Sequence, residues 1–421
     1  MLMLFLILAL LLMAMGIPIA VTIGVMSVSY IFMNDIPINI ITQKLVSGVN
    51  VTALLAIPLF ILAGDIMGKG GLATRMIRLA SSLVGKVSGG LGIVAVIGCM
   101  FFSAISGSGV ATAAALGRLM IPSMVEKGYD RGFATSIVAA ASPLGVIIPP
   151  SISFIIYSNL TGSSVLDLYK VGLPAGLLIG FSLMVLFYFL AKKQGIQADN
   201  EPFDSKEFSA ALKESLWALG TPIILVGGVF GGIFTATESA AVAVVYALFV
   251  GMFIYKDLKF KDILPIFLGS AKMTANIMFI IATASLLAWV LTAEGVPQMI
   301  VESLLSVSDN PIAILLMINL IVLIMGLFME TSAILVILVP LFLPLVTSLG
   351  MDPVHFGIII TINTAIGLIT PPFGVVLFTA ASVGEVGIQR VIKHISWPVL
   401  VMIAVLLFIT FVPGSVMFLV K

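Results

Sequence analysis

Long apolar runs separated by short polar stretches set the pattern of this chain, and nearly all charges sit in the stretches. Runs at 51–67, 131–160, 172–191, 214–234, 236–255, 273–293, 355–383 and 395–420 approach or exceed the roughly 20 residues that a helix needs to cross a bilayer. Residues 1–32 hold either one long span or two short ones broken at Gly16-Ile17-Pro18. Met1 to Met15 lacks a basic n-region and an Ala-x-Ala cleavage site, so it reads as a membrane segment and not as a cleaved signal. Two other apolar stretches, 89–125 and 311–349, have small or polar centres: Ser103 to Gly109 in the first, Gly326 to Ser332 in the second. Such a centre fits the tip of a re-entrant hairpin, because irregular backbone survives at membrane depth only inside protein or along a cavity. Segments 34–49 and 257–271 mix charged with apolar residues and predict amphipathic helices lying at the interface. The one long polar stretch, 197–213, reads as a cytoplasmic linker.

Basic residues orient these elements, since short loops retain Lys and Arg on the cytoplasmic side. If segment 51–67 ends inside, all of the 20 Lys and Arg residues except Lys44, Lys170 and Lys421 fall on the inner face. The loop 294–310 carries only acidic charge and falls outside. This layout requires each of 89–125 and 311–349 to enter and leave by one face.

Composition narrows the class. Hydrophobic residues make up 61% of the 421 and charged residues only 9%, with mean hydropathy +1.26. Soluble domains carry about 25% charged residues, so most of this surface faces lipid. The net charge of +1 gives no long-range field for nucleic acid. Cys99 is the single cysteine, which excludes an internal disulfide. The chain contains no Gly-x-x-x-x-Gly-Lys-Ser/Thr, so it does not drive transport with its own ATP site; it has no His-Glu-x-x-His, and Gly107-x-Gly109 lacks the third glycine of a dinucleotide site.

One constant shift of the chain against itself aligns unusual residues without a gap. Pro122 meets Pro344, Gly128 meets Gly350, Asp130 meets Asp352, Gly145 meets Gly367, and Pro149-Pro150 meets Pro371-Pro372. Five crossings separate the copies, an odd number, so they run oppositely through the membrane. Inverted repeats with interrupted helices place substrate and ion sites near the midplane, where the copies meet.

The interruptions carry the candidate chemistry. The adjacent prolines Pro149, Pro150, Pro371 and Pro372 remove N–H donors and free backbone carbonyls, which suit a dehydrated Na+. The half-helices beyond them present N–H groups and a positive dipole, which suit a carboxylate. Candidate Na+ ligands are Ser103, Ser106, Gly145 and Ile148 in the first copy, and Gly326, Thr331, Gly367 and Thr370 in the second. Candidate substrate contacts are Ser106, Gly107, Ser108, Gly109, Thr331, Ser332 and Asn363. Glu330 at the second tip is an intramembrane carboxylate; it could ligate a cation, take a proton or touch a partner. Glu238 and Asp65 read as structural or interfacial groups, and His355 and His394, at span ends, as surface residues.

These residues resemble a known family. The Ser106-Gly-Ser-Gly109 tip, Arg118, Pro122, the Gly128-Tyr-Asp130 turn and the Ala141-Ser-Pro-Leu-Gly145-x-x-x-Pro-Pro150 break are similar to the large membrane subunit of TRAP (tripartite ATP-independent periplasmic) transporters. So are Thr370-Pro-Pro-Phe-Gly374, Gly16-Ile-Pro-Ile-Ala20 and Pro58-Leu-Phe-Ile-Leu-Ala-Gly64, and the resemblance spans essentially the whole chain. It implies an all-α polytopic protein of the bacterial inner membrane, elevator-type and similar to the ion-transporter superfamily, with no enzymatic activity. It implies Na+-coupled import of organic acid anions such as sialic acid or C4-dicarboxylates. The implied partners are a small four-helix membrane subunit and a periplasmic substrate-binding protein. On this reading residues 1–88 are scaffold helices with an interfacial arm. Residues 89–171 are the first transport part, with hairpin 89–125 and broken helix 131–160. Residues 172–310 are scaffold with the linker 192–213 and the arm 257–271. Residues 311–394 are the second transport part, with hairpin 311–349 and broken helix 355–383, and 395–421 is the last helix. The alternative is a single-chain Na+- or H+-coupled carboxylate carrier that needs no binding protein.

Overall fold

A computed structural model describes residues 17–84, 89–196 and 204–420, with Leu12 and Met15. Most of 1–16 lies outside the described residues, so whether 1–32 crosses once or twice falls there, as does 197–203 of the linker. Every regular element among the described residues is a helix. Eight are long and apolar enough to cross a membrane: Thr52–Lys69, Arg131–Thr161, Val165–Lys193, Ser205–Phe230, Ala236–Ile254, Phe260–Ala293, Thr331–Ser348 and Ile388–Phe411.

A helix pair stands at each expected hairpin, and Thr331–Ser348 of the second is itself long and apolar enough to cross. The first pairs Gly90–Ser106 with Gly109–Glu126, and the second pairs Pro311–Gly326 with Thr331–Ser348. At the first tip Gly107 takes a left-handed φ of 59°, and the Ser108 hydroxyl caps the returning helix by accepting from Ala111 N–H at 3.4 Å. Both predicted breaks form as well. Arg131–Ala141 gives way to a single turn, Leu144–Ile147, and resumes at Ile152–Thr161; Pro353–Gly367 stops and resumes at Val375–Val383. The Pro149-Pro150 and Pro371-Pro372 bonds are both cis.

The repeat is physical as well as textual. Gly128 and Gly350 end their hairpins at φ 87° and 81°, and the next N–H closes back on the helix at 3.0 Å in both copies, Tyr129 to Met124 O and Met351 to Val346 O. Only glycine adopts that backbone cheaply. Asp130 and Asp352 then cap the broken helices, accepting from Phe133 N–H at 3.1 Å and Val354 N–H at 2.7 Å. The broken helices run antiparallel. The end of the first meets the start of the second where Tyr157 Oη donates to Pro353 O at 2.5 Å. The start of the first meets the end of the second where Arg131 donates to Gly384 O at 3.3 Å.

Scaffold helices pair crosswise, Ile19–Met33 along Phe260–Ala293 and Ala236–Phe249 along Ala56–Lys69. Charged loops distant in the chain come together. Arg75 pairs with Asp257 at 2.6 Å and Arg78 with Glu214 at 2.5 Å, while Gly89, at the base of the first hairpin, abuts Ala191 beside Lys192 and Lys193.

Three expectations change. Most of the arm expected over 257–271 is the first third of one continuous helix, Phe260–Ala293, of 34 residues. At about 1.5 Å per residue it is longer than the roughly 30 Å hydrocarbon layer is thick. Its counterpart Asn39–Val49 is a separate helix, because Asn50 and the turn Thr52–Leu55 interrupt the chain before Ala56–Lys69. Helix Ser205–Pro222 begins inside the expected linker 192–213, capped by the Asp204 carboxylate. His355 is buried, not surface: it is 3% exposed and its Nε2 lies 2.9 Å from Ile409 O of the last long helix.

Candidate functional site

The two hairpin tips meet. A narrow cleft of about 370 Å³, its solvent-open part included, lies between them and helix Phe260–Ala293, which contributes Met273 and Ile277. Eight of its other lining residues form four pairs that the repeat makes equivalent, Ser108 with Glu330, Gly109 with Thr331, Val110 with Ser332, and Val146 with Leu368, while Gly107, Ile152 and Ser153 line it from the first copy alone. The cleft therefore lies between the two copies.

Of the expected substrate contacts, Gly107, Ser108, Gly109, Thr331 and Ser332 line this cleft. Ser106 and Asn363 do not. Ser106 Oγ turns into the hairpin and lies 3.1 Å from Thr112 Oγ1, which itself donates to Ser108 O at 2.8 Å. Gly145 faces this group so closely that a methyl there would lie 2.8 Å from Ser108 O and 2.9 Å from Thr112 Oγ1. Ser106, Ser108 O, Thr112 and Gly145 thus form one neutral oxygen-rich knot; Thr112 was not anticipated. Asn363 lies one turn before Gly367, facing the first leg of the second hairpin. Its Nδ2 donates to Asn319 O and Asn319 Oδ1, both at 2.8 Å. Asn319 was not anticipated either.

The remaining candidates hold local positions. Ser103 Oγ donates to the carbonyl of Cys99 one turn back, and Thr370 Oγ1 donates to Ile366 O at 2.7 Å. The Ile148 side chain packs against Gly176 of helix Val165–Lys193. Gly326 and Gly367 touch backbone to backbone, which joins the first leg of the second hairpin to its broken helix. Glu330 reaches the cleft and accepts from Ser332 Oγ at 3.1 Å. Thr331 is 2% exposed, and its hydroxyl has no partner among the described residues. Away from the cleft, Glu238 forms a capping box with Thr235, and Asp65 accepts from Ser270 at 2.6 Å, both structural roles.

The carbonyl exposed by each break finds a different donor. Val146 O accepts from Ser151 Oγ at 2.5 Å, whereas the equivalent Leu368 O accepts from Val376 N–H at 3.0 Å.

Fold and site together define a multi-pass membrane protein of two inverted copies, each a hairpin set against an interrupted helix. Comparison with known proteins makes the class specific. The chain belongs to the family described as tripartite ATP-independent periplasmic transporter, DctM component, which matches residues 6–415. It is 42% identical over 384 residues to the isethionate TRAP transporter permease DctMQ of Oleidesulfovibrio alaskensis, covering 91% of this chain and 60% of that longer protein. It is 42% identical to the C4-dicarboxylate TRAP transporter large permease DctM of Pseudomonas aeruginosa, covering 86% and 84% of the two chains. It is 38% identical to the sialic acid TRAP transporter large permease SiaM of Vibrio cholerae, covering 85% and 83%. The crystal structure of the Alcanivorax borkumensis YdaH transporter has the same fold, with TM-score 0.62 at 13% identity over 89% of this chain and 87% of that one.

Proposed function

We propose that this chain is the large permease through which a small organic acid anion enters a bacterial cell across the inner membrane, coupled to Na+. The observation that carries the reading is the cleft between the copies, walled in part by equivalent residues of the two tips. Re-entrant tips of this kind create a binding place at mid-membrane that either face can reach. The small polar and backbone groups of Gly107, Ser108 and Gly109, at the start of helix Gly109–Glu126, receive the anion. The relatives named for isethionate, C4-dicarboxylates and sialic acid all handle small organic anions.

Neutral hydroxyl and carbonyl oxygens suit a hard monovalent cation. In the first copy, Ser106, Thr112 and Ser108 O would hold it beside Gly145; in the second, Thr331 and carbonyls near Gly326, Gly367 and Thr370. A cation beside Glu330 would also offset the repulsion between that carboxylate and an incoming anion. The two hairpins and two broken helices then move as one elevator body against the scaffold that contains Phe260–Ala293. A small four-helix membrane subunit and a periplasmic binding protein complete the system.

The test is uptake in proteoliposomes that also contain the small subunit, with the binding protein outside. Uptake driven by an inward Na+ gradient, and raised Na+ requirements in Ser106→Ala and Thr370→Ala, are expected. Equal uptake with K+ replacing Na+ would remove the coupling, and uptake without any binding protein would favour a single-chain carrier.

A further inference from the structure

The two breaks share their prolines but not their surroundings. Every residue from Gly145 to Ser153 at the first break is buried. At the second, Thr370 and Pro371 are half-buried, Pro372 is exposed and Phe373 is 52% exposed. The cause is local. Ser151 follows the first proline pair and folds inward, its hydroxyl on Val146 O at 2.5 Å. Phe373 stands at the equivalent position and has no such donor. Leu368 O is met instead by Val376 and Leu377 N–H at 3.0 and 3.3 Å, and Phe373 is left outside that turn.

The Phe373 N–H and the carbonyls of Pro371 and Pro372 have no protein partner among the described residues. Backbone groups in that condition do not face hydrocarbon; at membrane depth they are covered by protein or meet water. Among the described residues, none covers the second break at Pro372 and Phe373. Beside it stands the ring of Phe328, on the second tip, 62% exposed and tilted 35° against Phe373 at 5.3 Å between centroids.

We propose that the second break is a water-accessible port, flanked by the Phe328–Phe373 pair, through which the second copy's cation exchanges, while the buried first break offers the first copy's cation no such port. The two coupling ions are then kinetically unlike, the second copy's exchanging faster, although the two sites belong to one repeat. This rests on the cation coupling proposed above.

The test uses equivalent positions in a Cys99→Ala background, Cys99 being buried. Phe373→Cys and Ser151→Cys are each treated in membranes with a charged, membrane-impermeant thiol reagent, in KCl and in NaCl. Phe373→Cys should react at least tenfold faster than Ser151→Cys, and Na+ should slow it several-fold while leaving Ser151→Cys unchanged. Equal rates, an inert Phe373→Cys, or a rate indifferent to Na+ would overturn the port. Hydrogen–deuterium exchange on the unaltered protein guards against misfolded variants: amides around 370–374 should exchange faster than those around 148–152, and slow in Na+. The same protection at both breaks would overturn it too. Na+-independent uptake by the unaltered protein would sink the coupling itself; Na+-dependent uptake with equally accessible breaks sinks only the port.

Discussion

At the scale of single residues, close approach decides where side chains are permitted. A methyl on Gly367 would lie 2.5 Å from Gly326 Cα and 2.8 Å from Gly326 O, both backbone atoms that cannot step aside. Gly367→Ala should therefore destabilise the protein by about 1–3 kcal/mol, the usual cost of overpacking. Gly269→Ala, where a methyl meets nothing within 4 Å, should be neutral or slightly stabilising. Thermal unfolding of the two purified variants checks this, and equal midpoints would contradict the contact. The Asn319–Asn363 pair makes a second prediction: Ala at both positions should lose less than the sum of the single losses, with a coupling of about 0.5–3 kcal/mol. Additive losses would mean the pair does not interact. Neither Thr112 nor Asn319 was marked by the repeat, since each meets an isoleucine, Ile334 and Ile97, in the other copy. The available signal was weaker: Thr112 sits four residues after Ser108, on the same helix face, and Asn319 is simply polar inside a membrane-embedded run.

At the scale of elements, paired prolines and glycine ends set the architecture. Two adjacent prolines remove two donors and crowd the preceding turn, and both breaks fall where the sequence places them. Replacing Pro149-Pro150 by Ala-Ala should restore a continuous helix through 131–161 and abolish uptake while the protein still inserts and elutes as one species. Retained uptake would show that the interruption is dispensable. The arm at 257–271 shows the opposite situation. Its charges resemble those of a surface helix, yet nothing after Lys272 terminates the helix, and Pro265 costs one hydrogen bond without ending it. Charge pattern identified its environment, and the missing stop signal decided its length.

At the scale of the whole molecule, orientation and charge determine what drives transport. Inward movement of one positive charge down 100 mV yields about 2.3 kcal/mol. Two Na+ carried with a monocarboxylate move one net positive charge, so an inside-negative potential should accelerate uptake. Two Na+ carried with a dianion would be electroneutral, and the same potential should leave uptake unchanged. Valinomycin-imposed K+ potentials in proteoliposomes separate the cases; potential-independent uptake of a monoanion would rule out this stoichiometry.

What the sequence by itself determined was everything carried by local chemistry and by register. Apolar run length marked most of the membrane-length helices, and the match of Gly128-x-Asp130 to Gly350-x-Asp352 with both proline pairs marked the repeat and its breaks. These features are legible because each depends on residues adjacent in the chain. Only the tertiary structure decided which oxygens converge, that Ser106 turns to Thr112 and Asn363 to Asn319 and away from the cleft, and that one break is enclosed while the other lies open. Those outcomes depend on which distant helix lies alongside, and no local pattern of residues encodes that neighbour.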